Sequence, residues 1–438
     1  MYLTKITRLV IFALLWASIG RAATCVETGQ FAANTGSDTT TVNHSCGVTP
    51  VAIILWTTGQ TATGIDSAAN ASWSYGFSDG TNSRSIGWAS DDNVGTTNAG
   101  NAFRTDRIVE VFSAGTPTTT RYLFDVNFNS SNFSAIWDGT PAAAYLVSYM
   151  VLGGSDITNA VVGTHTLPTT GTPPVANSIT GLAFQPTFGI FMNTQNTAAG
   201  TGTRVHNGIG FAASSTKEFA MCWAIDDGQT MTANIDAVSY TNQEAMQCGI
   251  TAGAETIDFL MDFTSFNSDG ATFSISNLPG AAWLMPYMLI KGGQWDVGTG
   301  TFPSANGDEI VTGMAFQPKG LFIGTPGVTT ANATVTINAA SLAGAAASTT
   351  SDISSGAQQL DAVLNTSVER NTANDGFLPS VSSGTRLTFT SFNSDGWTLN
   401  WAGGAATAYQ YGWFAMADNA AAPTSSGAGW WGSQQFGF

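Results

Sequence analysis

Adjacent carboxylates are the first groups in this chain with chemistry to offer. Asp91-Asp92 and Asp226-Asp227 each close a Trp-Ala-x-Asp-Asp run, at Trp88 to Asp92 and Trp223 to Asp227. Calcium collects oxygen ligands, and paired aspartates in a loop can supply them. Asp-Asp-Gly at Asp226 to Gly228 is also how a strand gives way to a turn. The turn is the preferred reading, with calcium as the alternative and no other cofactor expected. Asp258 and Asp262 share one face of an alternating, apolar stretch, which suits hydrogen-bonded strand residues better than the two carboxylates of a glycosidase. His44, His165 and His206 occupy unrelated places, and no Ser-His-Asp set, His-Glu-x-x-His helix or phosphate loop occurs. No catalytic residue, and therefore no enzyme activity, is expected. Trp56, Trp73 and Trp295 lie near turns and are expected to offer exposed faces for stacking on sugar rings. Trp88, Trp223, Trp397 and Trp401 lie in strand-like runs and are expected to fill cores.

The four cysteines allow three pairings. Cys25–Cys46 and Cys222–Cys248 are preferred because each is local, the first across the open end of a hairpin turning at Thr35-Gly36. The spacings lack the close Cys-x-x-Cys pair of a metal site, and disulfides fit an oxidising compartment. Residues 1–23 read as a secretory leader: Lys5 and Arg8, the apolar Leu9 to Ala17, then Gly20-Arg21-Ala22-Ala23, with cleavage after Ala22 or Ala23. The apolar stretch is short for a membrane span of roughly 20 residues, so no integral span is expected in the mature chain. The formal charge of the full chain is −16. Loss of the leader removes three of its 13 basic residues against 29 acidic ones, leaving about −19. Such a surface repels phosphate backbones and excludes nucleic acid as a partner.

The elements that must position these residues recur along the chain. Phe-Thr-Ser-Phe-Asn-Ser-Asp-Gly stands at Phe263 to Gly270 and again at Phe389 to Gly396, with a worn copy at Phe128 to Asn132. Gly-x-Ala-Phe-Gln-Pro stands at Gly181 to Pro186 and Gly313 to Pro318, with a remnant ending at Pro50. A period of this size is a whole domain. Repeats are therefore expected at 24–157, 158–294 and 295–417, the last divergent because it lacks Trp-Ala-x-Asp-Asp. Around the octets apolar residues alternate, as at Ile257, Phe259, Met261 and Phe263, which marks a strand with one buried face. Asn-Ser-Asp-Gly between them predicts a tight hairpin whose Gly takes positive φ. Each repeat closes on a strand apolar on both faces, Tyr145 to Leu152, Trp283 to Ile290 and Tyr409 to Met416, as expected at a sheet centre. Ser341 to Ala347 and Ala357 to Leu364 are expected to form short helices.

Residues 418–438 are a linker leading to Trp430, Trp431, Phe436 and Phe438. These aromatic residues are expected either to fold back on the last repeat or to dock on a neighbouring subunit as an assembly tail. The Phe-Gln-Pro start, the octet hairpin and the closing aromatic strand together resemble concanavalin-like or laminin-G-like jelly-roll repeats of phage virion and tail proteins and secreted bacterial surface proteins. The resemblance implies an all-β chain of three tandem antiparallel sandwiches. It also implies a secreted or cell-surface structural or adhesive protein, partnered by itself or by a cell surface, with a lectin-like glycan-binding protein as the alternative.

Overall fold

The computed structural model describes residues 24–67, 70–113, 117–229, 237–251, 256–333, 338–360, 368–401 and 407–419. Residues 1–23, expected as a leader, and the four tail aromatics lie outside the described residues. All regular structure among the described residues is β-strand, paired antiparallel. The chain opens with β1 (Cys25–Ala32), β2 (Thr39–Asn43), β3 (Pro50–Thr57), β4 (Gly64–Asp66), β5 (Ala71–Ser78), β6 (Ser83–Ser90), β7 (Ala99–Arg104), β8 (Val109–Phe112), β9 (Thr119–Phe128), β10 (Asn132–Trp137) and β11 (Leu146–Gly153). It continues with β12 (Ile157–Thr166), β13 (Val175–Ile179), β14 (Phe188–Asn193), β15 (Gly200–Gly202), β16 (Val205–Ser214), β17 (Lys217–Ile225), β18 (Ala237–Asn242), β19 (Gln247–Thr251), β20 (Thr256–Asn267), β21 (Gly270–Asn277) and β22 (Leu284–Gly292). The last set is β23 (Gln294–Thr301), β24 (Gly307–Val311), β25 (Gly320–Thr325), β26 (Asn338–Ala346), β27 (Ile353–Leu360), β28 (Val368–Ala373), β29 (Leu387–Asn393), β30 (Gly396–Trp401) and β31 (Gln410–Ala417).

These strands form three large and three small sheets. The large ones run β1-β11-β3-β5-β6-β7, β12-β22-β14-β16-β17-β18 and β23-β31-β25-β26-β27-β28. The small ones run β2-β10-β9-β8, β13-β21-β20-β19 and β24-β30-β29. Each large sheet packs on one small sheet over its own core, for example Ile53, Leu55 and Val147 against Val109, Leu123 and Phe133. Equivalent cores fill the second and third sandwiches.

The two kinds of apolar pattern mark the two kinds of sheet. Small-sheet strands alternate because one face meets a core and the other meets water. β20, with Phe259, Met261 and Phe263 inward, is the clearest case. Large-sheet strands are apolar throughout because both faces are covered. In β11, Val147, Tyr149 and Val151 enter the first sandwich core, while Met150 and Leu152 enter a further core shared by all three large sheets. That shared core holds Trp56, Trp73 and Tyr75 of the first sandwich, Phe211, Phe219 and Trp223 of the second, and Phe322 and Phe414 of the third.

The structure corrects two local expectations. The described parts of the two expected short helices lie in the strands β26 and β27 at the middle of the third large sheet, residues 361–364 lying outside the described residues. Their Ala, Gly and Ser residues favour strand because they leave room for large side chains from the other sandwiches, and tertiary packing overrides local propensity. The turn at Thr35-Gly36 closes no hairpin: β1 pairs with β11, and β2 with β10 in the opposite layer. Cys25–Cys46 still forms, as does Cys222–Cys248, which staples β17 to β19 across the layers of the second sandwich.

The octet hairpin forms as expected: it turns on Ser268-Asp269, with Gly270 at a φ of 159° and paired to Asn267. Glycine is required there because a Cβ would stand 1.9 Å from the Ile179 carbonyl oxygen, and at Gly396 1.8 Å from that of Val311. This contact belongs to a clasp that joins the two recurrent sequence landmarks. The Gln185 amide donates to the Phe266 carbonyl at 3.0 Å, and Gln317 to that of Phe392 at 3.0 Å. The Leu182 and Met314 N–H groups donate to the Asp269 and Asp395 carbonyls, each at 2.9 Å. Gly270→Ala and Gly396→Ala should each cost at least about 1–3 kcal/mol in urea unfolding. Gly280→Ala, with nothing within 4 Å of its Cβ position, should stay near neutral; equal midpoints for all three would remove the close-approach argument.

Candidate functional site: the seams between sandwiches

Three sets of contacts join the sandwiches; the first and third sets run in a cycle, and the second spans two of the three seams among the described residues. The first is a loan of backbone. β15 of the second sandwich pairs with β7 of the first, Thr201 opposite Ala102. β4 of the first pairs with β28 of the third, Ile65 opposite Asn371. From the third, Asn332 reaches β18 of the second, its N–H donating to the Thr241 carbonyl at 2.9 Å and its side-chain oxygen accepting from the Gln243 N–H at 3.0 Å. Every lending segment follows the third strand of its own sandwich.

The second set uses the paired aspartates. Asp227 Oδ1 accepts the Ala99 N–H at the start of β7, 3.1 Å away. Asp92 Oδ1 accepts the Val368 N–H at the start of β28, 3.3 Å away. Gly228 and Thr97 add backbone bonds across the same seam. Asp91 accepts from the Asn98 amide. Asp226 is buried beside Arg204, 3.6 Å away. Burial raises the pKa of Asp226, Arg204 opposing and Asp227 adding to the rise. The second aspartate of each pair is thus a seam clamp, and the first is held within its own sandwich. Among the described residues no group of three or more His, Cys, Asp or Glu side chains is arranged to hold a metal.

The third set seats the β5–β6 turn, or its equivalent, on the first strand of the next sandwich. Asp79 accepts the Val162 N–H at 2.8 Å, Lys217 pairs with Asp296 at 2.8 Å, and Thr28 donates to the Ser351 carbonyl at 2.5 Å. Lending and seating close a ring with pseudo-threefold symmetry inside one chain, and clamping reinforces two of its seams. At the axis the sandwiches meet through ring contacts: Trp73 on Trp223 at 5.4 Å, Trp56 on Phe322 at 5.6 Å and Phe211 on Phe414 at 5.1 Å.

Trp56 and Trp73 are 0% exposed, so neither offers a face to a sugar. They sit near turns by sequence, but the turns of one sandwich are covered by the next. Trp295 is half-buried, stacked on Phe188 at 4.1 Å, with its indole N–H on the Gly292 carbonyl at 2.7 Å. All three expected stacking platforms are seam residues.

The seam of the first and third sandwiches carries an open groove of about 760 Å³. Its walls include Thr61, Thr63, Asp66, Asn70, Tyr145 and Arg370. Arg370 is held by Asp66, with Nε at 3.0 Å and Nη2 at 2.8 Å, and it also donates to the Thr58 carbonyl. The groove therefore presents a neutralised ion pair, hydroxyls and an amide.

The remaining ionisable groups do not converge. His44 bonds the Asn129 carbonyl, His165 the Asn177 side chain and His206 the Gln195 side chain. Burial pushes His206 down to about 4, with Asp258 opposing and Arg204 adding to the fall. Asp258 accepts from Thr251, whereas burial raises Asp262 in a different setting with Ser276 and Glu244. They do not act as a pair. Glu218, which no sequence motif singles out, is a buried carboxyl. Burial pushes it up to about 8, the Phe263 N–H opposing and Asp262 and Glu244 adding to the rise. Its partner was the available signal: the Phe263 N–H donates to Glu218 at 2.7 Å and the Phe389 N–H to Asp352 at 2.9 Å, so both octets anchor a buried acid.

No protein-family model matches this chain, and no curated protein matches it in sequence. Among the described residues no helix is long and apolar enough to cross a membrane.

The raised Glu218 value has a pH consequence. The folded state binds that proton more tightly than the unfolded chain, whose carboxyl keeps the ordinary 4.5. The stabilisation is complete below about pH 4.5 and is lost as pH rises through about 8. The melting temperature of Glu218→Gln minus that of the parent should therefore climb between pH 5 and pH 9. A flat difference would show that Glu218 ionises normally in the folded protein.

Proposed function

We propose that this is a secreted, non-enzymatic structural or adhesive protein, a building block of a surface or virion assembly. The observation that carries the reading is the cyclic loan of β4, β15 and the Asn332 segment. Together with the Asp92 and Asp227 clamps it holds three sandwiches in one block. The two disulfides suit an oxidising compartment, and the acidic composition suits a soluble exterior. The concanavalin-like or laminin-G-like resemblance fits the same role. A lectin-like glycan-binding protein is the second reading, favoured by the hydroxyl-lined groove between the first and third sandwiches.

Immunogold labelling of intact cells and of particles shed from the source should place the protein on an exterior surface. Label confined to the interior would end the structural and adhesive reading. On a glycan array the block should bind no sugar above background. Reproducible binding, repeated with and without chelator and lost in Thr63→Trp, would transfer the assignment to the lectin.

A further inference from the structure

Both ends of the described chain and both junctions between sandwiches meet at one pole of the ring. The Thr24 N–H donates to Asp418 Oδ1 at 3.0 Å, and Lys319 reaches Asp418 Oδ2 at 2.6 Å. The Gln294 side chain donates to the Asp418 carbonyl at 2.6 Å. Asp156, between the first and second sandwiches, takes the Gly293 N–H on its carbonyl at 2.9 Å. Its side chain accepts the Asn419 N–H at 2.9 Å. Asn419, the last described residue, is therefore fixed in place, and it forms part of the rim of a groove of about 770 Å³ on the second sandwich.

That groove is amphipathic. Pro186, Ala213 and the half-buried ring of Phe266 supply apolar floor, and Thr158, Thr187 and Lys291 supply a polar margin. Phe266 is braced on Phe263, 4.5 Å between ring centres, and the Gln185 clasp fixes its backbone. The floor is consequently preformed.

The twenty residues from Asn419 to Phe438 contain no charged side chain but include Trp430, Trp431, Phe436 and Phe438. Four such rings at about 150–250 Å² each exceed the roughly 300–600 Å² apolar patch that a soluble monomer usually shows. Ten residues, 420 to 429, can bridge at most roughly 33–36 Å, so a groove that begins at their own anchor is within reach. Tethering holds the segment there at an effective concentration of roughly millimolar order. We propose that the groove of Pro186, Ala213 and Phe266 is the docking site of this chain's own segment 429–438, its aromatic rings lying on Phe266 and Pro186. The docking stands whether or not the protein assembles on a surface.

Hydrogen exchange should compare the full chain with one ending at Asn419. Peptides covering Thr158, Pro186-Thr187 and Phe266 should exchange about fivefold or more faster in the shortened chain, while the corresponding Gln317 to Lys319 and Phe392 peptides stay unchanged. Ala213→Trp, which fills the groove with the tail intact, should release the 429–438 peptide to the same degree. A chain carrying Ala213→Cys and Trp431→Cys, oxidised with glutathione, should yield a monomer with that cross-link mapped by mass spectrometry. Cross-linked dimers would make a second copy the occupant and overturn docking within one chain. Unchanged exchange with no cross-link would overturn the site altogether.

Discussion

A sheet that is apolar on both faces has to be covered twice, and each large sheet here is of that kind. Its outer face meets a small sheet, and its inner face carries residues such as Trp73, Phe211 and Phe322 that are fully withdrawn from water. Burying one such side chain is worth roughly 1.5–3 kcal/mol, so an isolated sandwich would leave many times that amount unmet. Three sheets facing one axis satisfy each other. The loans and clamps at the rim then fix the rotation of each sandwich about that axis, because a hydrogen-bonded strand edge tolerates little slip.

The axis also explains why the units have drifted apart in sequence. A symmetric trimer of separate chains would need identical inner faces, but three units in one chain can exchange volume. A Cβ on Gly324 of the third sandwich would meet Met221 of the second at 2.6 Å, and one on Gly412 would meet Phe219 at 2.1 Å. By strand register Ala357 occupies the position of Trp88 and Trp223. The Trp88 indole fills space on that side by donating to Ser341 at 2.9 Å. Small residues in one unit and large ones in another are one packing solution, with native density at the centre. The divergence of the third unit follows from the volume its partners supply.

How much of this was legible depended on whether the cause lay within a unit or between units. Alternation in β20 and β29 and two-sided apolarity in β11, β22 and β31 follow from period and layer, and the all-β fold class could be read from them. The octet and the Phe-Gln-Pro landmark recur together because Gln185 and Gln317 bond the octet backbone. Their co-occurrence was visible, although their contact was not. Trp56 and Trp73 were misplaced because local sequence cannot show that a neighbouring sandwich covers a turn. The same blindness made strands of Ala, Gly and Ser look helical. Asp79, Arg370 and Lys217 carried no signal, since each meets a partner in a different unit at a sequence distance that no motif spans.

Chain connectivity is unequal around the ring, and the polar contacts follow that inequality. Residues 154–156 link the first sandwich to the second, and Gly293 alone links the second to the third. The third meets the first with no covalent link between β31 and β1. On that seam Thr24 and Lys319 hold Asp418, whose carboxyl they keep below its usual range although burial works against its charge. Arg370 and Asp66 pair across it, Thr58 meets Thr372 at 2.9 Å, and Ser90 meets Gln359. A covalent linker confines two domains at little cost in specificity. Non-covalent closure has to supply both proximity and register, and buried, directional hydrogen bonds are the interactions that supply register. The unlinked seam therefore carries the Arg370–Asp66 ion pair and a set of buried side-chain hydrogen bonds, and the open groove of about 760 Å³ lies beside the lent strand where it reaches β28.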